Sequence, residues 1–320
     1  MSKISLKIGK KSKIRLAAVV ALAGFFLILP LFTFSGKTAK LYVDDDATGT
    51  QDGSAAHPYK KINQAIQAAK GKTEIHVANG TYKENLDVED DVEIYGENRD
   101  KVIIKAKDDG DATVVLDDDT KINKVTIKEG KNGIWVKKNS KTSIIDCLIK
   151  DNRHDGIAIE SDGTKDSKMV SISDNIIKNN GWTGIYSGKR RLSITENEIR
   201  DNGKDGIDIA KGSRVWIAEN KIRANKGSGL KLAIDGSDVW IKKNDSRLNK
   251  REGLEVSFAG AAGRINISKS KFVDNGRYGV AKLQRGWSNA GLWANYLTIE
   301  DNNDFWGNPF GNISRIIHAN

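Results

Sequence analysis

The sequence predicts an all-β fold: a right-handed single-stranded parallel β-helix with an N-terminal capping helix, preceded by one transmembrane helix. Three observations lead to this prediction: a repeat of about 23 residues, a composition with 31 Gly and only 3 Pro, and an apolar run near the N-terminus. Many glycines with few prolines are typical of strands joined by tight turns. A chain of 320 residues is long enough for one large domain with its own core.

The apolar run covers residues 16–34, which are 19 consecutive uncharged residues. This length is sufficient to cross a bilayer, so we predict a transmembrane signal-anchor. The basic segment 1–15 should stay in the cytoplasm, which places a linker (35–40) and the domain (41–320) outside, in the periplasm or at the cell surface. No small-x-small cleavage site follows the run, which favours an uncleaved anchor; cleavage would release a secreted domain.

The repeat is a Gly followed by a branched apolar residue, and it recurs every 22 to 28 residues. Each unit also contains a Val-x-Ile segment, an Asn-x-Ile-basic segment and a second Asn. These pieces are short and alternate with period two, which predicts three strands per unit and leaves no room for helices. Residues 161–167 form an insertion that should be a loop. The repeated glycines are Gly133, Gly156, Gly184, Gly206, Gly229, Gly253 and Gly279.

Both ends of the stack need a cover, because an open end would recruit other strands. Residues 58–71 have an amphipathic pattern with Ile62, Ala65 and Ile66 on one face, which predicts a capping helix. The stretch 285–320 is rich in aromatic residues and should form the last coil and the C-terminal cap.

The Asn-Gly-Ile pattern resembles the repeats of pectate-lyase-like right-handed β-helix proteins. The opening segments, residues 42–59 and 80–104, are similar to the start of many exported members. Residues 305–309 (Phe-Trp-Gly-Asn-Pro) resemble a closing motif of periplasmic β-helix proteins of the copper-site-maturation type. The resemblance covers residues 41 to about 312. It implies the fold but not one activity, because the superfamily includes lyases, C5-epimerases, glycoside hydrolases, esterases and passive surface proteins.

The x of each Gly-Ile-x-Ile strand should point outward, and this predicts a polar column. Asp208, Lys231 and Glu255 fall on three consecutive rungs next to Tyr186. A carboxylate, an amine and a phenol at this spacing can neutralise a uronate and move a proton. The alternative is a solvated charge ladder that only stabilises the sheet. The rung separation of Asp208 and Glu255, roughly 10 Å, matches an inverting glycosidase only loosely. Further substrate-binding candidates beside this column are Trp135, Asp205 and Glu252.

His154 is a further catalytic candidate. The segment 151–155 (Asp-Asn-Arg-His-Asp) resembles the Asp-Pro-His-Asp/Glu motif of alginate C5-epimerases. Asn152 stands where that motif has its first Asp and Arg153 replaces the Pro, so the match departs at a functional acid. The alternative is a solvated histidine in a turn.

A basic residue occupies one repeat position in five successive coils. It follows the Asn-x-Ile segment and should form a ridge that either binds an anionic polymer or only protects the strand surface. Trp216 and Trp240 should also lie on adjacent rungs and face outward, where they can contact a sugar ring or pack under a loop. The basic residues are Lys150, Lys178, Arg200, Arg223 and Arg247.

The remaining composition excludes several classes of function. Six of the ten excess positive charges precede the apolar run, so the charge of the domain makes no case for nucleic acid. A single cysteine, Cys147, excludes an intrachain disulfide framework. We predict no cofactor; Asp44–Asp46 and Asp117–Asp119 could hold Ca²⁺ but lack EF-hand spacing.

These observations together predict a protein that binds or modifies an acidic polysaccharide, with lyase or C5-epimerase chemistry if it is catalytic. The alternative is a non-catalytic binding or scaffold protein of the cell envelope. The sequence leaves open whether the protein is an enzyme.

Overall fold

The computed structural model describes residues 38–286 and 290–319. In this part the chain winds into coils, and a full coil adds one strand to each of three parallel sheets. The sheets contain eleven, ten and ten strands among the residues described. The described domain is therefore an all-β parallel β-helix.

The strands are labelled in chain order and fall into three sheets. Sheet 1 contains β1 (Ala39–Val43), β2 (Thr73–Val77), β5 (Val92–Gly96), β8 (Thr120–Asn123), β11 (Thr142–Ile145), β14 (Met169–Ser173), β17 (Arg191–Thr195), β20 (Arg214–Ala218), β23 (Asp238–Lys242), β26 (Arg264–Ser268) and β29 (Leu297–Ile299). Sheet 2 contains β3 (Gly80–Lys83), β6 (Val102–Lys105), β9 (Thr126–Lys128), β12 (Leu148–Lys150), β15 (Ile176–Lys178), β18 (Glu198–Arg200), β21 (Lys221–Arg223), β24 (Asp245–Arg247), β27 (Lys271–Val273) and β30 (Asp304–Trp306). Sheet 3 contains β4 (Leu86–Val88), β7 (Val114–Leu116), β10 (Ile134–Val136), β13 (Ile157–Ile159), β16 (Ile185–Ser187), β19 (Ile207–Ile209), β22 (Leu230–Ala233), β25 (Leu254–Phe258), β28 (Tyr278–Arg285) and β31 (Gly311–Ala319).

The core follows from the alternation within each strand. In β19, Ile207 and Ile209 point inward and are buried, while Asp208 between them points outward. Val, Ile and Leu occupy nearly all such inward positions and form one continuous hydrophobic core along the stack. Burial of these side chains supplies the main driving force for folding.

Two ladders of buried asparagines form the turns between the sheets. Each is preceded by a residue with positive φ, such as Asp174 (61°) or Asp201 (57°). Asn202 shows the pattern: its Oδ1 accepts hydrogen bonds from Asn180 of the previous coil, and its Nδ2 donates to Asn225 of the next. The ladders satisfy backbone groups that would otherwise be buried without partners. The members are Asn175, Asn197, Asn220 and Asn244 between sheets 1 and 2, and Asn152, Asn180, Asn202, Asn225, Asn249, Asn275 and Asn308 between sheets 2 and 3.

The repeated glycine is required by close contact between coils. At Gly206, a Cβ would lie 2.6 Å from the carbonyl oxygen of Gly229 and 2.5 Å from Ile222 Cγ2. Neither neighbour can move without displacing the next coil, so the position before the sheet 3 strand has no room for a side chain.

The N-terminal cap is shorter than the predicted helix 58–71. Helix α1 spans Ile62–Ala68 and buries Ile62, Ala65 and Ile66 over the open end. Tyr59 instead pairs with Val43 beside β1, which removes the start of the predicted helix. The Glu84 carboxylate accepts the backbone N–H groups of Ile62 and Asn63 (2.9 and 3.1 Å) and so satisfies the first turn.

The C-terminal cap contains the short helix α2 (Trp293–Tyr296) and the last coil. Trp293 is buried and packs edge-on against Phe258, with ring centroids 5.5 Å apart. Trp306 and Phe310 are exposed, so only part of the predicted aromatic cap closes the core.

The insertion between β13 and β14 is anchored by a buried ion pair. Arg190 is fully buried and lies 2.9 Å from Asp162, the second residue of the predicted loop. The same guanidinium donates to the carbonyl oxygens of Lys137, Ser140 and Glu160. It therefore ties three successive coils together beneath the loop.

The predicted fold class is wrong in one part, the transmembrane helix. Among the residues described, no helix is long and apolar enough to cross a membrane, and α1 has only seven residues. The segment 16–34 itself, like 1–15, lies outside the described residues. The prediction rested on apolar length alone, which is a property of composition and not of conformation.

Candidate functional site

The polar column predicted on the Gly-Ile strands lies on the outer face of sheet 3. Parallel pairing aligns Tyr186 with Asp208, Asp208 with Lys231, and Lys231 with Glu255. Trp135 lies two rungs before Tyr186, beside a pocket of about 370 Å³ that also contains Asp87 and Lys131. The predicted placement of these residues on one face and in this order is confirmed.

A second column runs beside the first, in the turn that enters sheet 3. Asp205 and Glu252 occupy alternate coils of this column, with Ser228 between them. The Asp205 carboxylate accepts the backbone N–H of Ser228 (2.7 Å), and the Ser228 hydroxyl donates to Glu252 (3.0 Å). Asp155 has the equivalent role two coils earlier, where it accepts the N–H of Thr183 (2.9 Å). We call the two columns together the sheet 3 groove.

Lys231 is held between two carboxylates. Its Nζ lies 2.9 Å from Asp208 and 3.9 Å from Asp205. Burial would lower the pKa of Lys231, but the hydrogen bond and charge of Asp208 outweigh this effect and hold the pKa above its usual value. The amine is therefore protonated at neutral pH, so it can neutralise an anion but cannot abstract a proton.

Glu255 is the most deeply buried member of the predicted column. It is 3% exposed, and its carboxylate contacts Arg251 at 3.1 Å. Burial raises the pKa of Glu255, against the attraction of the Arg251 charge. Burial likewise raises the pKa of Asp205 and of Asp155. Carboxyl groups whose pKa is raised in this way hold a proton more readily than exposed carboxyl groups, which is a property of acid–base residues in functional sites.

His154 lies at the outer edge of the groove and is stacked on an exposed tryptophan. Its ring is 3.9 Å from that of Trp182 and nearly parallel to it, and Lys204 covers the same indole at 3.8 Å. Burial, then the charges of Lys131, Arg153 and Lys204, lower the pKa of His154. The imidazole is therefore neutral at pH 7 within a group of cations.

Other predicted site residues lie on different faces. Trp216 and Trp240 pair as adjacent rungs, but on sheet 1. The basic column is on sheet 2, where it continues towards the N-terminus through three further lysines. Most of its members form ion pairs, for example Arg200 with Glu198 at 2.7 Å. The full column is Lys83, Lys105, Lys128, Lys150, Lys178, Arg200, Arg223 and Arg247.

The two acidic clusters considered for Ca²⁺ have other roles. The ligand atoms of Asp44, Asp45 and Asp46 come within 4.8 Å of one another, but Asp45 accepts the N–H of Thr81 and so ties two segments together. In the cluster 117–119, each carboxylate contacts a lysine. Lysines thus occupy the cluster 117–119, whereas the ligand atoms of Asp44, Asp45 and Asp46 are close enough together to share a cation.

Several residues of the groove were not predicted from the sequence. The turn from sheet 2 to sheet 3 has a constant length, so the residues three and four positions before each outward residue also form columns. Counting back from the outward position would have located them. The missed residues are Asp155, Trp182, Lys204, Ser228, Arg251 and Arg277.

Comparisons with known proteins agree with this fold. The family model of the right-handed β-helix region matches residues 162–303, and that of a family of unknown function (DUF1565) matches residues 46–105. No curated protein matches in sequence.

Solved structures resemble the chain at low sequence identity. Pectate lyase Pel9A is 15% identical with a TM-score of 0.60, and the match covers 84% of this chain and 79% of that one. The A-module of mannuronan C-5 epimerase AlgE6 from Azotobacter vinelandii is 14% identical with a TM-score of 0.55, over 80% and 93%. The catalytic unit of a GH87 α-1,3-glucanase from Streptomyces thermodiastaticus is 14% identical with a TM-score of 0.51, over 86% and 69%. The repeat, the three parallel sheets and these matches confirm the resemblance to pectate-lyase-like right-handed β-helix proteins and show that the chain shares their fold.

Proposed function

We propose that the protein binds an acidic polysaccharide along the sheet 3 groove and acts on a uronate unit there as a lyase or C5-epimerase. The observation that carries this proposal is the stacking of His154 on Trp182 among the positive charges of Lys131, Arg153 and Lys204, in a setting where burial and these charges lower the pKa of the imidazole. The similar fold of a pectate lyase and a mannuronan C-5 epimerase supports the same class of substrate.

The cations and the imidazole have complementary roles in this chemistry. Lys131, Arg153 and Lys204 attract the uronate carboxylate and offset its charge, which makes the adjacent C5–H bond more acidic. His154 takes the proton as this bond breaks. In a lyase, the C4–O bond then breaks, a C4=C5 double bond forms and the leaving oxygen receives a proton. In an epimerase, a proton returns to the opposite face of C5. Tyr186, 43% exposed on the next rung, is our candidate donor for either step.

The groove can hold a polymer rather than a single sugar. From the rung of Trp135 to that of Glu255 there are five steps of about 4.8 Å, or roughly 24 Å. Tyr186, which is exposed on this line, offers an apolar ring face to a sugar.

The test uses the full-length protein with alginate, polygalacturonate and hyaluronan. We expect either an ultraviolet-absorbing unsaturated product or incorporation of deuterium at C5 from heavy water. His154→Gln should abolish the reaction, whereas His76→Gln, on sheet 1, should leave it unchanged. Absence of both products on all three polymers, or an active His154→Gln variant, would contradict the proposal.

A non-catalytic binding or scaffold protein is the second candidate. It is favoured by the internal pairing of Lys231 with Asp208 and of Arg251 with Glu255, which resembles a stabilising charge ladder. Lys231→Ala distinguishes the two functions. An enzyme should lose turnover because an uncompensated Asp208 then repels the uronate in the groove, while a scaffold that uses Lys231 only within the charge ladder, away from its glycan, should keep its glycan affinity.

The proposed location is outside the cytoplasm, because an intact acidic polymer does not cross a membrane and must be met where it is displayed. Cell fractionation with detection of the tagged full-length chain tests this. Recovery in the cytoplasmic fraction alone would contradict it.

A further inference from the structure

The outer face of sheet 1 carries a stretch of seven rungs without a charged residue, which begins after Lys121. In a chain that is 29% charged, seven successive rungs present only hydroxyl, amide and indole side chains. The pairings place them in register over six steps, or roughly 29 Å. This neutral column is Ser143, Ser171, Ser193, Trp216, Trp240, Asn266 and Thr298.

The side chains of the neutral column have unused hydrogen-bonding capacity. None of these seven side chains is buried, and none makes a hydrogen bond or ring contact with the residues that the structure describes. The neighbouring column, two residues further along each strand, adds the outward hydroxyls of Ser173, Thr195 and Ser268. The face therefore offers donors and acceptors to an external partner.

The insertion loop borders the two indoles of this face. Lys165 contacts Asp238 at 2.8 Å, and Asp166 contacts Arg214 at 2.7 Å. Arg214 and Asp238 precede the two tryptophans by two residues, so they project from the same face of the sheet. The loop thus lies along one side of the indoles, and its two charges are paired with the two charges that precede the indoles.

We infer that sheet 1 is a second glycan-binding face, which takes an uncharged polysaccharide. The indoles of Trp216 and Trp240 pack against the apolar faces of sugar rings, and the hydroxyl and amide groups bond to sugar hydroxyls. The seven rungs themselves supply no cation to a polyanion, which favours an uncharged polymer on the column; the cations Arg191, Lys242 and Arg264 lie in the columns on either side of it. The inference goes beyond the proposed function and does not depend on it, since the two surfaces lie on different sheets.

Affinity electrophoresis of the full-length protein tests the inference directly. Native gels contain hydroxyethylcellulose, mixed-linkage β-glucan, galactomannan, dextran or polygalacturonate. We expect at least one of the four neutral polymers to retard the protein. The double variant Trp216→Ala/Trp240→Ala should weaken this retardation at least tenfold. Trp306→Ala, which removes a more exposed indole from sheet 2, is the control and should change nothing.

Ser193→Asp is a second variant that leaves the core and both indoles intact. It places a charge in the centre of the column and should also weaken binding to the neutral polymer. His154→Gln should not, so failure of this inference is separable from failure of the proposed function. Retardation by none of the neutral polymers, retardation by polygalacturonate alone, or full retardation of the double variant would overturn the inference.

Discussion

Asn202→Ala tests the asparagine ladder that spaces the rungs of the groove. Asn202 is fully buried. Its Oδ1 accepts the backbone N–H and the Nδ2 of Asn180 at 3.2 and 3.0 Å, and its Nδ2 donates to Ile177 and Asn225 at 3.3 and 3.0 Å. The substitution removes all four bonds.

The expected magnitude follows from the groups that remain. Asn180 Nδ2 still donates to the Ile149 carbonyl oxygen, and Asn225 Oδ1 still accepts the Asn202 backbone N–H. The Asn180 N–H loses its side-chain acceptor and stays buried, at about 1–3 kcal/mol, and the other lost bonds add about 1 kcal/mol. We therefore expect a loss of about 2–4 kcal/mol in the free energy of unfolding.

Urea denaturation followed by circular dichroism measures this loss. The matched control is Asn266→Ala, the same substitution at an outward position of sheet 1, where the side chain has no hydrogen-bond partner in the described chain. It should change the free energy of unfolding by less than about 0.5 kcal/mol. Equal effects of the two substitutions would refute the assignment of the ladder as a stabilising element.

Three further predictions concern buried groups. Because burial raises the pKa of Glu255, the native state holds its proton more tightly than the unfolded chain, so the stabilisation from this group is present below the unfolded pKa and declines as pH rises through the native pKa. Glu255→Gln should therefore reduce the pH dependence of the urea concentration at the unfolding midpoint between pH 4 and 7, and an unchanged pH dependence would contradict this. Burial raises the pKa of Cys147 to about 12, so iodoacetamide at pH 8 should label it only after unfolding; rapid labelling of the native protein would show that the thiol is accessible. Arg190→Met leaves Asp162 buried without its counter-ion and should lower the free energy of unfolding by about 3–5 kcal/mol. The double variant Arg190→Met/Asp162→Ala should lose less than the sum of the two single losses, and additive losses in urea denaturation would exclude the coupling.

The register of the groove was predictable because the repeat fixes it. With a period of about 23 residues and alternation within each strand, the glycine before Ile207 identifies Asp208 as outward and aligns it with Lys231. The same argument extends to the turn column, but it requires counting back through a loop of constant length. His154 was found only through the resemblance of the segment 151–155 to an epimerase motif, and its neighbour Trp182 was not found.

The relation between the three faces was not predictable. Trp216 lies on a different sheet from Asp208, and the angle between sheets depends on the positive-φ turns and the asparagine ladders. Lys83, the first member of the basic column, belongs to coils that lack the Asn-Gly-Ile pattern, so only the backbone pairing reveals it. The helix boundary was missed for a related reason, since the pairing of Tyr59 with Val43 is a tertiary contact.

The charge balance decides which end of the sheet 3 groove should hold the reacting uronate. At Lys231, an entering carboxylate must displace Asp208, which already lies 2.9 Å from the amine. At His154, the nearby Lys131 and Lys204 form no ion pair with the residues that the structure describes, so a carboxylate adds a favourable charge where none is displaced. That carboxylate also raises the pKa of the imidazole, because it offsets the cations that lower it. Substrate binding therefore strengthens the base at the moment a proton must be removed, which is why we assign the proton transfer to His154 and only charge compensation to Lys231.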